Sequence, residues 1–537
     1  MDTKRPWWRG AVIYQIYPRS FRDTNSDGIG DLNGIVEGLD HIASLGVDAI
    51  WISPFFTSPM RDFGYDVADS CGIDPSFGDF DDFDRVIEKA HGLGLKVIID
   101  QVYSHTSDEH DWFRESRTDR TNLKADWYVW ADPKPDGTPP SNWQSVFGGS
   151  AWQWDGPRKQ YYFHNFLTSQ PDLNIHNMQV QDALLEAARF WLDRGVDGFR
   201  LDAINFAMHD PAFRDNPPSG RDMAKVTRPF DMQRHVYNQS HPDIVLFLER
   251  IRDVMDEYAG SFTVAEVGGP NPLGEMKAFT EGSHRLNSAY NFDFLYAEKL
   301  TSDIVRQSLE QWTGGQGEGW PSWAFSNHDA PRAVTRWAEG RDRVSVCRLL
   351  MMLLTSLRGN GFIYQGEELG LPQGNVAFED LQDPEAIVNW PHTLGRDGAR
   401  TPFPWKADAP HAGFSDRAAW LKVDPAQAAL AADTQEQDPT SMLNFTRELL
   451  GLRKSLPPLI EGNQDILDTP DNVIAFTRNL DGKTVLCAYN LGDTAAEWRP
   501  EGSFRLVATS DNLAENAPFP DRLAPGTAYW ALAETGV

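Results

Sequence analysis

The sequence predicts an α/β fold: a (β/α)8 TIM barrel with a subdomain inserted after strand 3 and a C-terminal antiparallel β domain. Three observations predict it. Short apolar runs alternate with longer amphipathic ones along most of the chain, eight of the short runs read as strands, and near the C-terminal end the pattern changes to short segments of alternating polarity. The eight runs are mostly unbroken, as strands buried on both faces of a parallel sheet require. Repeated strand–helix units imply α/β architecture, and eight of them fit a closed barrel. A doubly wound sheet is the alternative that pattern alone leaves open.

In chain order the strands are Ala11–Tyr17, Asp48–Ser53, Leu95–Val102, Gly198–Ala203, Phe262–Val267, Ser288–Phe294, Trp320–Ser326 and Gly361–Tyr364. Helical patterns cover Asp31–Leu45, Phe80–Leu93, Val180–Leu192, Asp243–Tyr258 and Val344–Leu357. Gly46, Gly94, Gly195, Gly260 and Gly359 follow them, glycine being favoured just past a helix end. The interval from Val102 to Gly198 is far longer than a simple crossover, so a subdomain is expected there. Its loop-rich part, Tyr103 to Gln170, holds Trp112, Trp127, Trp130, Trp143, Trp152 and Trp154. Beyond the helical stretch Leu443–Arg453 and a Pro457-Pro458 break come Val473–Arg478, Thr484–Asn490 and Phe504–Ala508, separated by Gly and Asp turns. They read as a small antiparallel domain. The expected division is 1–103 and 171–454 for the barrel, 104–170 for the insertion and 455–537 for a C-terminal β-sandwich.

Composition narrows the function. The 537 residues include 49 Lys and Arg against 78 Asp and Glu, a formal net charge of −29. Nucleic acid is excluded as a main partner, because phosphate binding needs basic stripes. Docking on anionic lipid is disfavoured for the same reason. At 41% hydrophobic and 12% aromatic residues, the chain is too apolar for disorder. Cys71, Cys347 and Cys487 are scattered and show neither a disulfide framework nor a CxxC pair. Met1 to Trp8 lack the apolar stretch of a signal peptide, and no apolar run is long enough to span a bilayer. The expectation is a cytoplasmic protein, monomer or homodimer, with no membrane partner and no organic cofactor.

The chemistry is signalled by where a few acids fall. Barrel enzymes carry their reactive groups at the C-terminal ends of strands. Here strand three ends in Asp100, strand four in Arg200-Leu201-Asp202 and strand five in Glu266, while strand seven runs into Asn327-His328-Asp329. A single acid at a strand end is an ordinary helix cap. Four converging acids raise one another's pKa and cost stability, so such a cluster is usually kept for chemistry or a metal. With His105 and His328 it could hold a divalent ion. Arg200 argues otherwise: it shares a strand face with Asp202, and a fixed guanidinium keeps a carboxylate ionised and disfavours a nearby cation. An ionised carboxylate beside a second carboxyl of raised pKa is the arrangement of retaining glycoside hydrolysis. The tryptophans of the insertion suit this reading, since apolar sugar faces pack on flat rings.

These residues resemble the signatures of glycoside hydrolase family 13, the α-amylase family, and within it the α-glucosidase and oligo-1,6-glucosidase group. Asp100-Gln101-Val102-Tyr103-Ser104-His105 resembles the first signature, with Ser104 where many members carry Asn. Gly198–Ala203 resembles the nucleophile strand, Ala265-Glu266-Val267 the acid/base strand and Ser326-Asn327-His328-Asp329 the fourth region. Gln170-Pro171-Asp172-Leu173-Asn174 resembles the oligo-1,6-glucosidase marker. Gly366-Glu367-Glu368-Leu369-Gly370 and Arg396-Asp397-Gly398-Ala399-Arg400-Thr401-Pro402 resemble further landmarks. Seven such matches in the family's order span essentially the whole chain.

The resemblance implies Asp202 as nucleophile, Glu266 as acid/base, and Asp329 as the group that binds the 2- and 3-hydroxyls. It implies that His105 and His328 hold hydroxyls and that Arg200 fixes and ionises Asp202. It places Tyr65 as a stacking platform, Asp62 and Arg400 as the pair that grips the 4-hydroxyl end, and Phe147 and Phe166 as walls. A closed pocket implies exo attack on a small α-glucoside, one glucose at a time. A two-stage mechanism requires the carboxyls of Asp202 and Glu266 to lie about 5–5.5 Å apart. After the nucleophile comes Ala203, where relatives with Val tend to prefer α-1,6 links and those with Thr α-1,4. The small Ala points to α-1,4 or broad tolerance.

A separate loop, Asp23-Thr24-Asn25-Ser26-Asp27-Gly28-Ile29-Gly30-Asp31, begins like an EF-hand, with oxygen donors at positions 1, 3 and 5, Gly at 6 and a carbonyl at 7. Position 12 is Gly34, so it is not a true EF-hand. The loop resembles a calcium site of oligo-1,6-glucosidase relatives, with Asp23, Asn25, Asp27, Ile29 and Asp31 as ligands. Ca2+ is expected over Mg2+, which prefers to keep its waters. Two other functions remain open. A glucosyltransferase or isomerase would share the glucosyl-enzyme, and a non-catalytic scaffold would be expected to have lost one of Asp202, Glu266 and Asp329.

Overall fold

The computed structural model describes residues 5–312, 319–393, 395–513 and 516–534. Eight parallel strands close into a barrel. They are β1 (Val12–Ile16), β2 (Ala49–Ile52), β3 (Lys96–Val102), β4 (Gly198–Asp202), β5 (Phe262–Val267), β6 (Ser288–Asn291), β7 (Trp320–Ala324) and β8 (Asn360–Tyr364). Neighbours pair in sequence order, and β1 closes the ring on β8 with Val12 opposite Gly361. Each lies within or one residue beyond a stretch expected from the sequence, and the closed ring excludes the doubly wound alternative.

Side-chain alternation along these strands creates two apolar layers. Ile13, Trp51, Ile98, Val264, Tyr290 and Phe362 fill the barrel interior. Tyr14, Ile50, Ile99, Phe199, Ala265 and Ile363 face outward and pack against the helices. Those include α1 (Leu32–Leu45), α2 (Phe80–Gly92), α3 (Met178–Asp193), α4 (Ile244–Asp256) and α5 (Arg343–Ser356). Asp31 caps α1 by accepting from Gly34 N–H, and Asp79 and Asp82 form a capping box on α2. The inward face has a further consequence. Two residues beyond Ile98 it carries Asp100, and two beyond Val264 it carries Glu266. A period of two therefore delivers the apolar plug and the acids from the same strands.

The insertion forms a small antiparallel sheet of Trp130–Ala131, Gln160–Phe163 and Trp152–Asp155. Its tryptophans serve its own packing. Trp143 stacks on Trp152 and meets Phe163 edge-on, Trp112 packs on Trp127, Trp130 lies parallel to Phe113, and Trp154 rests on Tyr161. Trp143 and Trp152 are buried in this packing, so the expectation that the rings pack against sugar does not hold for those two.

At the C-terminal end, β9 (Asn463–Ile466), β10 (Val473–Leu480), β11 (Lys483–Asn490), β12 (Phe504–Thr509) and β13 (Ala528–Ala533) form an antiparallel sheet in the order β9-β10-β11-β13-β12. The Pro457-Pro458 pair opens a short helix, Pro457–Glu461, because proline is preorganised for a first turn. Among the described residues no helix is long and apolar enough to cross a membrane.

Candidate active site

Arg200, wholly buried on β4, organises the mouth of the barrel. Its Nη1 donates to Asp100 Oδ1 at 2.7 Å and to Asp202 Oδ1 at 2.5 Å, and its Nη2 lies 2.6 Å from Glu266 Oε1. The Tyr290 hydroxyl donates to Glu266 Oε1 at 3.1 Å, and the Ala203 N–H reaches Glu266 Oε2 at 3.3 Å. Ala203 sits at φ 38°, ψ 40°, in the left-handed region. That turn is what aims its N–H back at Glu266. Asp202 and Glu266 are thus held one guanidinium fork apart on adjacent strands.

The electrostatics follow from burial. Desolvation pushes the Asp202 and Glu266 carboxyls up to about 7, against the pull of Arg200; Asp100 and Asp329 raise Asp202 further, and Asp202 and Asp329 raise Glu266. Asp100 rises to about 6 for the same reason. Arg200 favours the ionised form of Asp202, as the sequence reading has it, and it does the same for Asp100 and Glu266, so the arginine serves three acids.

Asp329 behaves oppositely. Burial raises its carboxyl, but His328, Arg400, Arg396 and Arg200 together outweigh burial and hold it well below the usual range. Burial drives His328 itself well below its ordinary value. As a neutral ring it supplies a hydrogen bond rather than a charge, so the guanidiniums keep Asp329 ionised. Gln15 Nε2 donates to His328 Nδ1 at 2.7 Å. Nε2 therefore carries the proton, 3.1 Å from Asp329 Oδ2 and 2.5 Å from the Tyr65 hydroxyl. Tyr65 stacks on His328 at 5.2 Å and donates to Asp100.

The far wall is built by loops. Asp66 accepts from Ser58 Oγ and from the N–H groups of Arg61 and Asp62, which fixes the turn bearing Asp62. Asp62 does not pair with Arg400. Arg396 Nη2 grips Asp62 at 2.8 Å and Asp383 at 2.8 Å, with Nη1 3.6 Å from Asp329. Arg400 instead donates to Asp329 Oδ1 at 2.7 Å and to the His328 carbonyl. Gln170 Nε2 donates to Asp62 at 3.0 Å and lies 3.2 Å from His105 Nε2. Burial lowers His105 to about 4, so it too is neutral. The Phe166 ring lies 5.1 Å from His105 and 6.2 Å from Phe147, and Phe147 lies under the Arg396 guanidinium. The structure thus gathers Asp62, Tyr65, His105, Phe147, Phe166, Arg200, Asp202, Ala203, Glu266, His328, Asp329 and Arg400 around one mouth. It adds Arg396, Asp383, Gln170 and Tyr290, of which Arg396 and Gln170 stood inside quoted motifs without an assigned role.

A family model described as the α-amylase catalytic domain matches residues 15–462. The chain belongs to the α-amylase family. It is similar to a probable alpha-glucosidase of Rhizobium meliloti, at 53% identity over 92% of this chain and 91% of that one. It is also similar to the oligo-1,6-glucosidase of Heyndrickxia coagulans, at 36% identity over 93% and 95%. Among solved structures, that of the alpha-glucosyl transfer enzyme XgtA matches at TM-score 0.94 and 49% identity, covering 99% and 100%. The trehalulose synthase MutB matches at TM-score 0.90 and 32% identity, covering 98% and 100%. The chain is thus a family member with all three acids present, and a glycoside hydrolase.

The loop at 23–31 lies apart from this mouth. The Asp23 carboxylate accepts from Asn25, Ser26 and Gly28 N–H and from Ser415 Oγ. Asn25 Oδ1 accepts from Asp27 N–H and Asp27 Oδ1 from Ile29 N–H. Asp31 is committed to Thr24 and to the α1 cap. Among the described residues no group of three or more His, Cys, Asp and Glu side chains is arranged to hold a metal ion. Asn25, Asp27 and Ile29 retain oxygen lone pairs, whereas Asp23 and Asp31 would have to yield hydrogen bonds to an ion.

Proposed function

We propose that this enzyme is an exo-acting retaining α-glucosidase that releases glucose from the non-reducing end of short α-glucosides. The observation that carries this is the Asp202–Glu266 pair on one guanidinium, with both carboxyls poised near neutrality. In the first step the Asp202 carboxylate attacks the anomeric carbon as Glu266 protonates the departing oxygen, leaving a β-glucosyl ester. In the second, Glu266 takes a proton from water, which attacks the same carbon and frees Asp202. Ionised Asp329 and Arg400 would take sugar hydroxyls through charge-assisted bonds, and neutral His328 through an ordinary one. The Asp62–Arg396–Asp383 chain would wall the pocket opposite the leaving group, and that reading supports attack at a chain terminus.

The names of the Rhizobium and Heyndrickxia relatives support hydrolysis of α-glucosides. A second reading has its own support: the similarity to an alpha-glucosyl transfer enzyme favours partial transfer to a sugar hydroxyl in place of water. NMR of products from maltose, isomaltose, sucrose and trehalose tests both. Free glucose as the main product supports hydrolysis, and glucosylated sugars as the main product support transfer.

Two lesser proposals accompany this one. Ca2+ binding at the 23–31 loop rests on the open oxygens of Asn25, Asp27 and Ile29. A thermal midpoint unmoved by EDTA, with no Ca2+ in the purified protein, would count against it. A cytoplasmic location rests on the three free cysteines.

A further inference from the structure

The ladder that joins β4 to β5 stops just short of the two acids. Its last paired residues are Leu201 and Ala265, each one residue before Asp202 and Glu266. Both acids are still paired on their far sides, Asp202 with Val102 and Glu266 with Tyr290. The spacing between the two strand ends is therefore set by whatever joins them beyond the ladder.

Asn205 makes such a joint. It is wholly buried in the turn after β4, three residues past Asp202. Its Nδ2 donates at 2.8 Å to the carbonyl of Gly268, two residues past Glu266. The same Nδ2 lies 3.3 Å from Ser240 Oγ, and the Asn205 carbonyl accepts from the Ser240 N–H at 2.6 Å. Turning the amide over would set its oxygen against the Gly268 carbonyl, so the donor end is fixed. The Glu275 carboxyl accepts from the Asn205 and Ser240 side chains in turn. Gly269, at φ 101°, leaves the space for this approach: a Cβ there would lie 2.8 Å from Gln239 Nε2 and 3.3 Å from Asn205 Nδ2.

The joint bears on one oxygen of the acid/base group. Glu266 Oε1 is engaged by Arg200 and by the Tyr290 hydroxyl. Oε2 is met by the Ala203 N–H at 3.3 Å, already at the long end of a hydrogen bond. Ala203 begins the turn that holds Asn205, with the Phe206 N–H bonded back to the Ala203 carbonyl at 2.8 Å. A turn freed from Gly268 would drift and give up that contact. Oε2 is also the oxygen left to carry a proton to the leaving group, because two donors already occupy Oε1.

We propose that Asn205 is a positioning residue: by stapling the turn after β4 to the turn after β5, it holds the Ala203 N–H against Glu266 Oε2 and keeps that oxygen in line for proton transfer. It touches no substrate. The assignment rests on the reading of Glu266 as acid and base of a retaining α-glucosidase.

The test compares leaving groups. The sugar alcohol departing from maltose needs a proton from Glu266, whereas 4-nitrophenolate departs with little help. In the full-length chain, Asn205→Ala and the near-isosteric Asn205→Asp should lower kcat/KM on maltose by roughly 10- to 100-fold. On 4-nitrophenyl α-glucoside kcat/KM should stay near the parental value. The ratio of the two is independent of how much of each variant is folded, so lost stability alone cannot move it. Ser240→Ala keeps the Asn205–Gly268 bond and should keep the parental ratio. A crystal structure of Asn205→Asp should show Glu266 Oε2 out of reach of the Ala203 N–H with the Arg200 contacts intact. A parental ratio in both Asn205 variants, an equal shift in Ser240→Ala, or an unmoved Glu266 would overturn the proposal. The crystallographic reading needs no turnover, and a parent that releases glucose from neither substrate would instead count against the α-glucosidase reading.

Discussion

Arg200 Nη2 lies 2.6 Å from Glu266 Oε1, while Nη1 of the same side chain donates to Asp202. One guanidinium therefore sets the distance between the two carboxyls and is shared by their charges. Burial lifts both to about 7 against the pull of that guanidinium.

The pH dependence follows. The chemistry needs one carboxyl ionised and one protonated, so kcat/KM against pH should be bell-shaped with both limbs flanking neutrality. Initial rates across pH 4 to 10 check this. A flat profile through pH 7 would contradict two carboxyls raised toward neutrality.

Neutralising either partner should abolish turnover and change stability in a defined direction. Folded Glu266, at about 7, holds a proton that the unfolded chain releases near its ordinary 4.5. That contribution to stability is full below about 4.5 and is lost as pH rises through about 7. Glu266→Gln cannot ionise and keeps it. Its thermal midpoint should exceed that of the parent above pH 7, and the gap should shrink toward pH 5. Asp202→Asn should behave alike, with turnover almost gone and the fold intact.

Arg396 is placed to matter as much as the acids. Its loss leaves Asp62 and Asp383 buried without a cation, which typically costs about 3–5 kcal/mol. Arg396→Ala should lower the thermal midpoint by several degrees and reduce kcat/KM far more than kcat. Arg396→Lys should recover part of the stability but little of kcat/KM, because the ammonium cannot span two carboxylates. A variant with parental kcat/KM would sink the assignment of Arg396 to the pocket wall.

Ala203 joins linkage preference to backbone strain. At φ 38° a β-branched side chain is unfavourable by roughly 1–3 kcal/mol. Ala203→Val should lower stability, and it should depress α-1,4 activity more than α-1,6 activity. Parallel assays on maltose and isomaltose check the ratio. An unchanged ratio would count against a role for this position in linkage choice.

The barrel was legible because its strands are buried on both faces, which writes them as unbroken apolar runs such as Val97-Ile98-Ile99. The acids were legible because each terminates such a run. The partners were not. Arg396 and Arg400 stand four residues apart around a 3-10 turn, Asp397–Ala399, and nothing in their spacing tells which guanidinium turns to Asp62 and which to Asp329. Trp143 and Trp152 of the insertion misled for a related reason. Composition reports that flat rings are present, but only the packing of Trp143 on Trp152 shows them turned toward each other.

The double displacement at Asp202 is tested most directly by the anomer of glucose first released from maltose, followed by 1H NMR before mutarotation. Two inversions at one carbon predict α-glucose. β-Glucose as the first product would contradict the account.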